Sequence, residues 1–214
     1  MRTAHKLREP QAGLSCRDRA HCRLSDGTCA GLIAYFAKTR VKEEMMASTE
    51  SPDAIALLKE DHRIVEGLFE DFEKASGGRK KGIAEQICLD LSVHAQIEEE
   101  IFYPACDGKV DEDLLKESYV EHDAAKVMIA EILAGGPDDE FYDSKVKVLS
   151  EEIEHHVEEE EKRMEGLFAQ ARKAGLDMDR LGEEMRARKE QLTAEFKANG
   201  IPKPKLTTME TAEV

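Results

Sequence analysis

Two short runs share one pattern: His94-Ala95-Gln96-Ile97-Glu98 and His156-Val157-Glu158-Glu159-Glu160. In each, an imidazole and a carboxylate lie four residues apart in helix-forming sequence, so both project from one face about 6 Å apart, which is chelating geometry. Two more histidines, His62 and His122, lie in the helical runs that precede each pair. The candidate ligands are therefore His62, His94, Glu98, His122, His156 and Glu160. Four imidazoles and two carboxylates suit iron, with manganese or zinc as alternatives, and two carboxylates able to bridge are what a dinuclear centre needs to hold its ions close. The bland reading is that these are surface residues of a Glu-rich helical protein. Against it stands the joint pattern: four histidines on apolar faces, two of them with a carboxylate one turn on, would be buried without compensation unless a cation held them.

The elements that must position these residues follow from the breakers between them. Midpoints between successive histidines fall near Gly77-Gly78, Gly108 and Pro137-Asp138-Asp139, the strongest turn signals in this region. Antiparallel helices folded about those turns bring the four histidines to one level, giving an all-α, up-down-up-down four-helix bundle with an additional C-terminal helix.

Ser51-Pro52-Asp53 reads as a helix start, with a capping hydroxyl, a proline at the first position and an acid in the first turn. The first helix, to about Ser76, should turn Leu58, His62, Val65, Phe69 and Phe72 inward. The second, from about Lys80 to Cys106, repeats the pattern through Ile87, Leu91, His94, Glu98, Ile101 and Phe102. A third, Asp111 to Ala134, carries Leu115, Tyr119, His122, Ala125, Ile129 and Ile132. The fourth, Asp138 to Lys173, carries Leu149, Ile153, His156, Glu160, Met164 and Leu167. The two halves form an internal repeat: Val65, Leu68, Phe69 and Phe72 follow His62 as Ala125, Met128, Ile129 and Ile132 follow His122. Two hairpins related by a pseudo-twofold would set two similar ligand groups around one centre.

In the fourth helix, His155 with Glu159 has the same spacing as His156 with Glu160, and Glu161 neighbours Glu160. Leu149 and Ile153 precede His156 as Ile87 and Leu91 precede His94, which favours His156 and Glu160. Tyr119, one turn before His122, reads as a core residue, a hydrogen-bond donor to the site or an occasional ligand.

The flanks differ. Residues 1–47 hold nine Lys/Arg against five Asp/Glu, or +4, which leaves −19 for the remainder of a chain of net charge −15. Cys16, Cys22 and Cys29 with His21 lack the tight C-x-x-C pairing of a zinc site, so a disordered extension is expected, with Met46-Ala47-Ser48 resembling an ordinary start. The bundle occupies 51–173. Beyond Gly175, a helix over 176–198 with Leu181, Met185, Leu192 and Phe196 should pack on the bundle or pair with a second copy, ahead of a disordered tail over 199–214.

The acidic balance argues against a nucleic-acid partner or an anionic membrane surface. No apolar run approaches the roughly 20 residues of a span, and the start lacks a signal-peptide pattern, so a cytoplasmic protein is expected. Cys88 and Cys106 would lie roughly 27 Å apart on one helix, too far to bridge, so reduced thiols are expected.

The arrangement H … HxxxE … H … HxxxE over such a bundle resembles the hemerythrin family, in its bacterial HHE cation-binding subgroup, across about Ser51 to Lys173. Leu58-Lys59-Glu60-Asp61-His62, Ile97-Glu98-Glu99-Glu100-Ile101-Phe102-Tyr103-Pro104 and His155-His156-Val157-Glu158-Glu159-Glu160-Glu161 contribute to the likeness. The resemblance implies a non-haem di-iron centre of two Fe ions on the six ligands above, meeting dioxygen, peroxide or nitric oxide. The oxygen carriers have a second histidine four residues after the one on the third helix, where this chain has Lys126, and HxxxxD where it has HxxxE. Fewer protein ligands leave more open coordination, favouring chemistry over reversible storage. Ferritin-like carboxylate proteins fit less well, because they place glutamates where this chain has His62 and His122. Three functions compete: a di-iron binding or sensing module, a peroxide- or oxygen-reactive di-iron oxidoreductase, and a structural bundle with adventitious metal.

Overall fold

A computed structural model describes residues 52–209. The N-terminal cysteine cluster and the expected extension lie outside the described residues. Among the described residues every regular element is helical: α1 (Ala54–Lys74), α2 (Gly78–Ile97), a π turn (Glu98–Phe102), α3 (Tyr103–Cys106), α4 (Glu112–Ala134), α5 (Tyr142–Glu161), α6 (Leu167–Lys173) and α7 (Met178–Asn199).

The starts are chemically marked. Asp53 accepts from the N–H of Ala56 at 2.8 Å, Asp111 from those of Asp113 and Leu114, and Asp177 from that of Arg180, each satisfying donors that a helix leaves free in its first turn. α1 packs on α2, α2 on α4, α4 on α5, and α5 back on α1, so four helices close a ring. Their apolar stripes make two cores. One joins Val65, Phe69, Phe72, Ile87, Leu91, Ile129, Ile132 and Leu149; the other joins Leu58, Ile97, Phe102, Leu115, Leu167 and Phe168 with α7. On α1, α2 and α4 the histidine falls in sequence between members of the two cores, and His156 follows Leu149 of one core on α5 and precedes Leu167 of the other on α6, so a polar layer is sealed by hydrocarbon on both sides.

α7 spends its apolar face on its own chain: Leu181, Met185, Leu192 and Phe196 are buried. At Gly182 the helix crosses the start of α1 so closely that a Cβ there would meet Ala54 N at 2.8 Å and Pro52 O at 2.9 Å. Arg186 donates to Pro52 O at 2.7 Å beside this crossing.

Three details depart from the expected pattern. The second helix does not run evenly to Cys106, because five residues after Ile97 form the π turn, closed by a bond from Tyr103 N–H to Glu98 O. The fourth helix stops at Glu161 rather than continuing to Lys173. Met164 takes φ 75°, a left-handed conformation, and its side chain is exposed instead of inward. Gly166 permits the break: a Cβ there would meet the carbonyl oxygens of Glu160 and Glu159 at 2.5 and 2.6 Å. Finally, residues 201–209 are an extended segment with partners rather than a free tail. The buried carboxylate of Asp123 accepts the backbone N–H groups of Thr207 and Thr208 at 2.9 and 2.5 Å and of Met209 at 3.1 Å, with the Thr208 hydroxyl at 2.8 Å. Prolines at 202 and 204 stiffen the approach.

Candidate metal centre

All six candidate residues converge. His62, His94, His122 and His156 are buried, and Glu98 and Glu160 are 0% and 1% exposed. The imidazoles form two pairs, His62 with His94 and His122 with His156, each with ring centroids 4.8 Å apart. The carboxylates cross-link the pairs. Glu98 Oε2 lies 3.1 Å from His94 Nε2 and 3.3 Å from His122 Nε2, while Glu160 Oε2 lies 3.5 Å from His62 Nε2 and 3.6 Å from His156 Nε2. His155 points outward and is 61% exposed, facing Glu121 and Glu159, so His156 and Glu160 are the inward residues of α5.

The outer nitrogen of each of these four histidines meets a carboxylate. His62 Nδ1 pairs with Glu161 at 2.9 Å and His122 Nδ1 with Glu99 at 3.1 Å, each acid immediately following an inward glutamate. His94 Nδ1 pairs with Asp61 at 3.5 Å and His156 Nδ1 with Glu121 at 2.8 Å, each acid immediately preceding the histidine of α1 or α4. The same contacts thus occur twice, as the internal repeat requires. Such carboxylates fix the tautomer, leaving Nε2 free toward the centre and raising its basicity. Cations hold the acids in turn: Lys59 and Arg63 on Glu161, Lys126 on Glu99, and Lys189 on Asp61.

Tyr103 also reaches the centre, which the α-helical periodicity concealed. Its hydroxyl lies 3.1 Å from His122 Nε2, 3.2 Å from Glu160 Oε1 and 3.4 Å from Glu98 Oε2. In an α-helix the fifth residue after Glu98 would lie about 140° around the axis. The π turn brings it back over Glu98. The signal was Pro104, which cannot donate to a preceding turn and so marks an irregularity inside an otherwise helical run. Tyr119 stays outside, its ring 5.1 Å from that of Tyr103 in an edge contact.

Protonation shows how much charge is confined here. Burial pushes the Glu160 carboxyl up, and the neighbouring Glu98 charge adds to that, reaching about 8. Glu98 itself is held far below the usual range: burial opposes its charge, but His94 and His122 outweigh it. Burial disfavours charge on His94 too, yet Glu98 and Asp61 raise it to about 10, whereas burial and the His94 charge drop His62 to about 4. Tyr103 is pushed well above its ordinary value by burial and by Glu160 and Glu98.

Among the described residues, three buried polar atoms still have no hydrogen-bond partner: Glu98 Oε1, His156 Nε2 and Glu160 Oε2. All three belong to the proposed ligands, and each orphan of this kind costs about 1–3 kcal/mol. His94, Glu98, His156 and Glu160 present ligand atoms all within 4.8 Å of one another, and the enclosed cavity among the histidines holds about 20 Å³, room for little more than one small group. Donors bonded to one ion at about 2.1 Å sit roughly 3–3.5 Å apart, the spacing found here. The residues fit a bound metal.

Comparison with known proteins gives the lineage. The model of the hemerythrin HHE cation binding domain matches residues 53–168. This chain belongs to that family. The hemerythrin-like fold is also that of a solved hemerythrin HHE cation binding domain-containing protein from Mycobacterium kansasii, with a TM-score of 0.60 at 22% identity, covering 71% of this chain and 96% of that one. A DNA nickase from Nostoc sp. is 30% identical over 106 residues, which is 49% of this hemerythrin-like chain but 30% of the nickase's length. The hemerythrin HHE domain binds metal cations, and the buried His/Glu cluster of this chain fits that property.

Proposed function

We propose that this hemerythrin-like protein holds two iron ions on His62, His94, Glu98, His122, His156 and Glu160 and interacts there with dioxygen, peroxide or nitric oxide, in sensing, stress response or iron handling. The observation behind it is the cross-linking of two histidine pairs by two buried carboxylates with orphaned atoms. The two histidine pairs together with Glu98 and Glu160 would hold the ions. Manganese or zinc would satisfy the same donors. We read the helical ring as up-down-up-down, supported by the short connections between successive helices. A cytoplasmic setting is part of this reading; no helix among the described residues is long and apolar enough to cross a membrane. Self-association through α7 would have to use its outward charged face, since the apolar one is buried.

A reactive centre is the second reading, and Tyr103 favours it. A pair of iron ions supplies redox equivalents and open coordination positions. The protein supplies a phenol whose proton is firmly held and whose oxygen lies beside Glu98 and Glu160, placed to donate a hydrogen bond to a group held beside those carboxylates. Lys126, at the position where oxygen carriers have an extra histidine, gives its ammonium to Glu99 at 2.6 and 2.8 Å and adds no donor to the centre. Nicking of DNA, named for the Nostoc relative, is not carried over, because a formal charge of −15 repels a phosphate backbone.

Metal analysis with an absorption spectrum of the isolated protein tests the main reading. About two ions per chain, mainly iron, are expected; a content near zero from metal-replete medium would refute it. Oxygenating the reduced protein and stripping the gas under argon separates the readings. Full recovery of the ferrous spectrum over repeated cycles indicates a carrier or sensor, whereas irreversible oxidation, or oxygen evolution from peroxide, indicates a reactive centre.

A further inference from the structure

A second pocket, of about 470 Å³, lies between α2, the π turn, α4, α7 and the extended segment after α7, and none of the six candidate ligands lines it. Ligand sites for small molecules fall in this range of size. Ile129, Leu133 and Phe196 line its hydrocarbon side, and Ile201 and two prolines close it from the segment. Its roof is built rather than draped. Asp123 takes three successive backbone N–H groups of residues 207–209, and those bonds hold its carboxyl down at about 2 in spite of its burial.

The charges at the pocket are uneven. Its two acids are already satisfied, Glu99 by Lys126 and His122, and Glu100 by Arg188 at 2.6 and 3.1 Å and Gln96 at 2.7 Å. Lys203 and Lys205, by contrast, contribute ammonium groups that join no ion pair among the described residues. A cationic edge on an apolar pocket, in a chain of net charge −15, selects an amphiphilic anion over a cation or a neutral apolar guest.

We propose that this pocket binds an aliphatic carboxylate, its head on Lys203 and Lys205 and its chain between Ile129, Leu133 and Phe196. The site is independent of metal in the bundle, but it is not remote from it. Lys126 lines both this pocket and the cavity among the four histidines, so an occupant sits one side chain from the candidate centre.

The test is a titration of the full chain, as isolated, with octanoate, followed by amide NMR shifts and calorimetry, with octylamine as the cation of matching shape. Saturable octanoate binding, with shifts confined to α2, the π turn, α4, α7 and residues 201–209, is expected, and octylamine should bind at least about tenfold more weakly. Lys203→Ala with Lys205→Ala changes two exposed side chains and should weaken octanoate about tenfold without moving the melting temperature. Ala130→Trp, which fills the pocket, should abolish binding. The proposal is overturned if octanoate does not saturate, if octylamine binds as well, if the shifts lie elsewhere, or if the double lysine variant binds octanoate undiminished.

Discussion

Tyr103 and Phe168, members of one core, each cover one histidine pair: the tyrosine ring lies 5.2 Å from His122, and the phenylalanine ring lies 5.9 Å from His62, nearly parallel to it. The pseudo-twofold that relates the six ligands and their four outer carboxylates is therefore broken by a single hydroxyl. One histidine pair sees a hydrogen-bond donor; the other sees hydrocarbon.

Tyr103→Phe should remove that difference. The acceptors Glu98 and Glu160 would lose a buried partner, at a cost of about 1–2 kcal/mol, or a few degrees in melting temperature. Metal content should remain at the wild-type level, while the rate of reaction with peroxide falls. Unchanged peroxide kinetics would remove Tyr103 from the chemistry.

Substitution of the ligands should be far more damaging than substitution beside them. Glu98→Ala leaves buried imidazoles without their carboxylate and should cost about 3–5 kcal/mol with loss of bound metal. His155→Ala, at an exposed site, should stay within about 0.5 kcal/mol and keep its metal. Metal analysis and denaturant unfolding of the two variants check this, and a greater loss at His155 would shift the α5 register by one residue.

Metal-free protein should lose stability as pH rises. Folded Glu160 titrates at about 8 and His94 at about 10, each above its unfolded value, so the native state holds protons that the unfolded chain releases. The stabilisation from His94 is complete below its unfolded value near 6.5 and gone once pH passes about 10; the penalty from ionising Glu160 grows from about 4.5 and is complete above about 8. His62, lowered to about 4, acts in the opposite sense, but only below about 6.5. Urea midpoints of chelator-treated protein should fall between about pH 7 and 10, and adding a divalent metal there should release protons into a weakly buffered dye solution. A midpoint that rises across this window would contradict the assignment.

Two glycines should respond in opposite directions. Gly166→Ala forces a methyl group onto the carbonyls of Glu159 and Glu160 and should cost about 2 kcal/mol or more, with some loss of metal because Glu160 is displaced. Gly67→Ala, in open space on α1, should add about 1 kcal/mol through helix propensity. Thermal melts of both decide it.

What could be read from the chain beforehand follows from periodicity. His62, His94, His122 and His156 lie on stripes of apolar residues three and four apart, and regular helices carry such stripes faithfully into a core. The outer carboxylates Asp61, Glu99, Glu121 and Glu161 stand next to ligands in sequence, yet in a Glu-rich chain nothing sets them apart until the neighbouring helix is placed. Tyr103 and Met164 fall where the helical period fails, through a π turn and a left-handed residue, so extrapolated α geometry omitted the first from the inward stripe and wrongly included the second. Asp123 was hidden for a different reason: its partners lie more than eighty positions away, and backbone N–H groups carry no side-chain signature.

The π turn makes the phenol depend on counting as much as on residue type. It holds one residue more than a regular turn of the same height, so even winding at unchanged length would swing Tyr103 about 140° from Glu98, toward the outside of the bundle. Deleting one residue between them would instead leave the phenol four positions after the glutamate, about 40° away and still inward. Spacing from the HxxxE glutamate to the following tyrosine thus becomes a ruler for sorting members of the family: four in an even helix, or five across a π turn, keeps the donor on one histidine pair, and five in an even helix loses it.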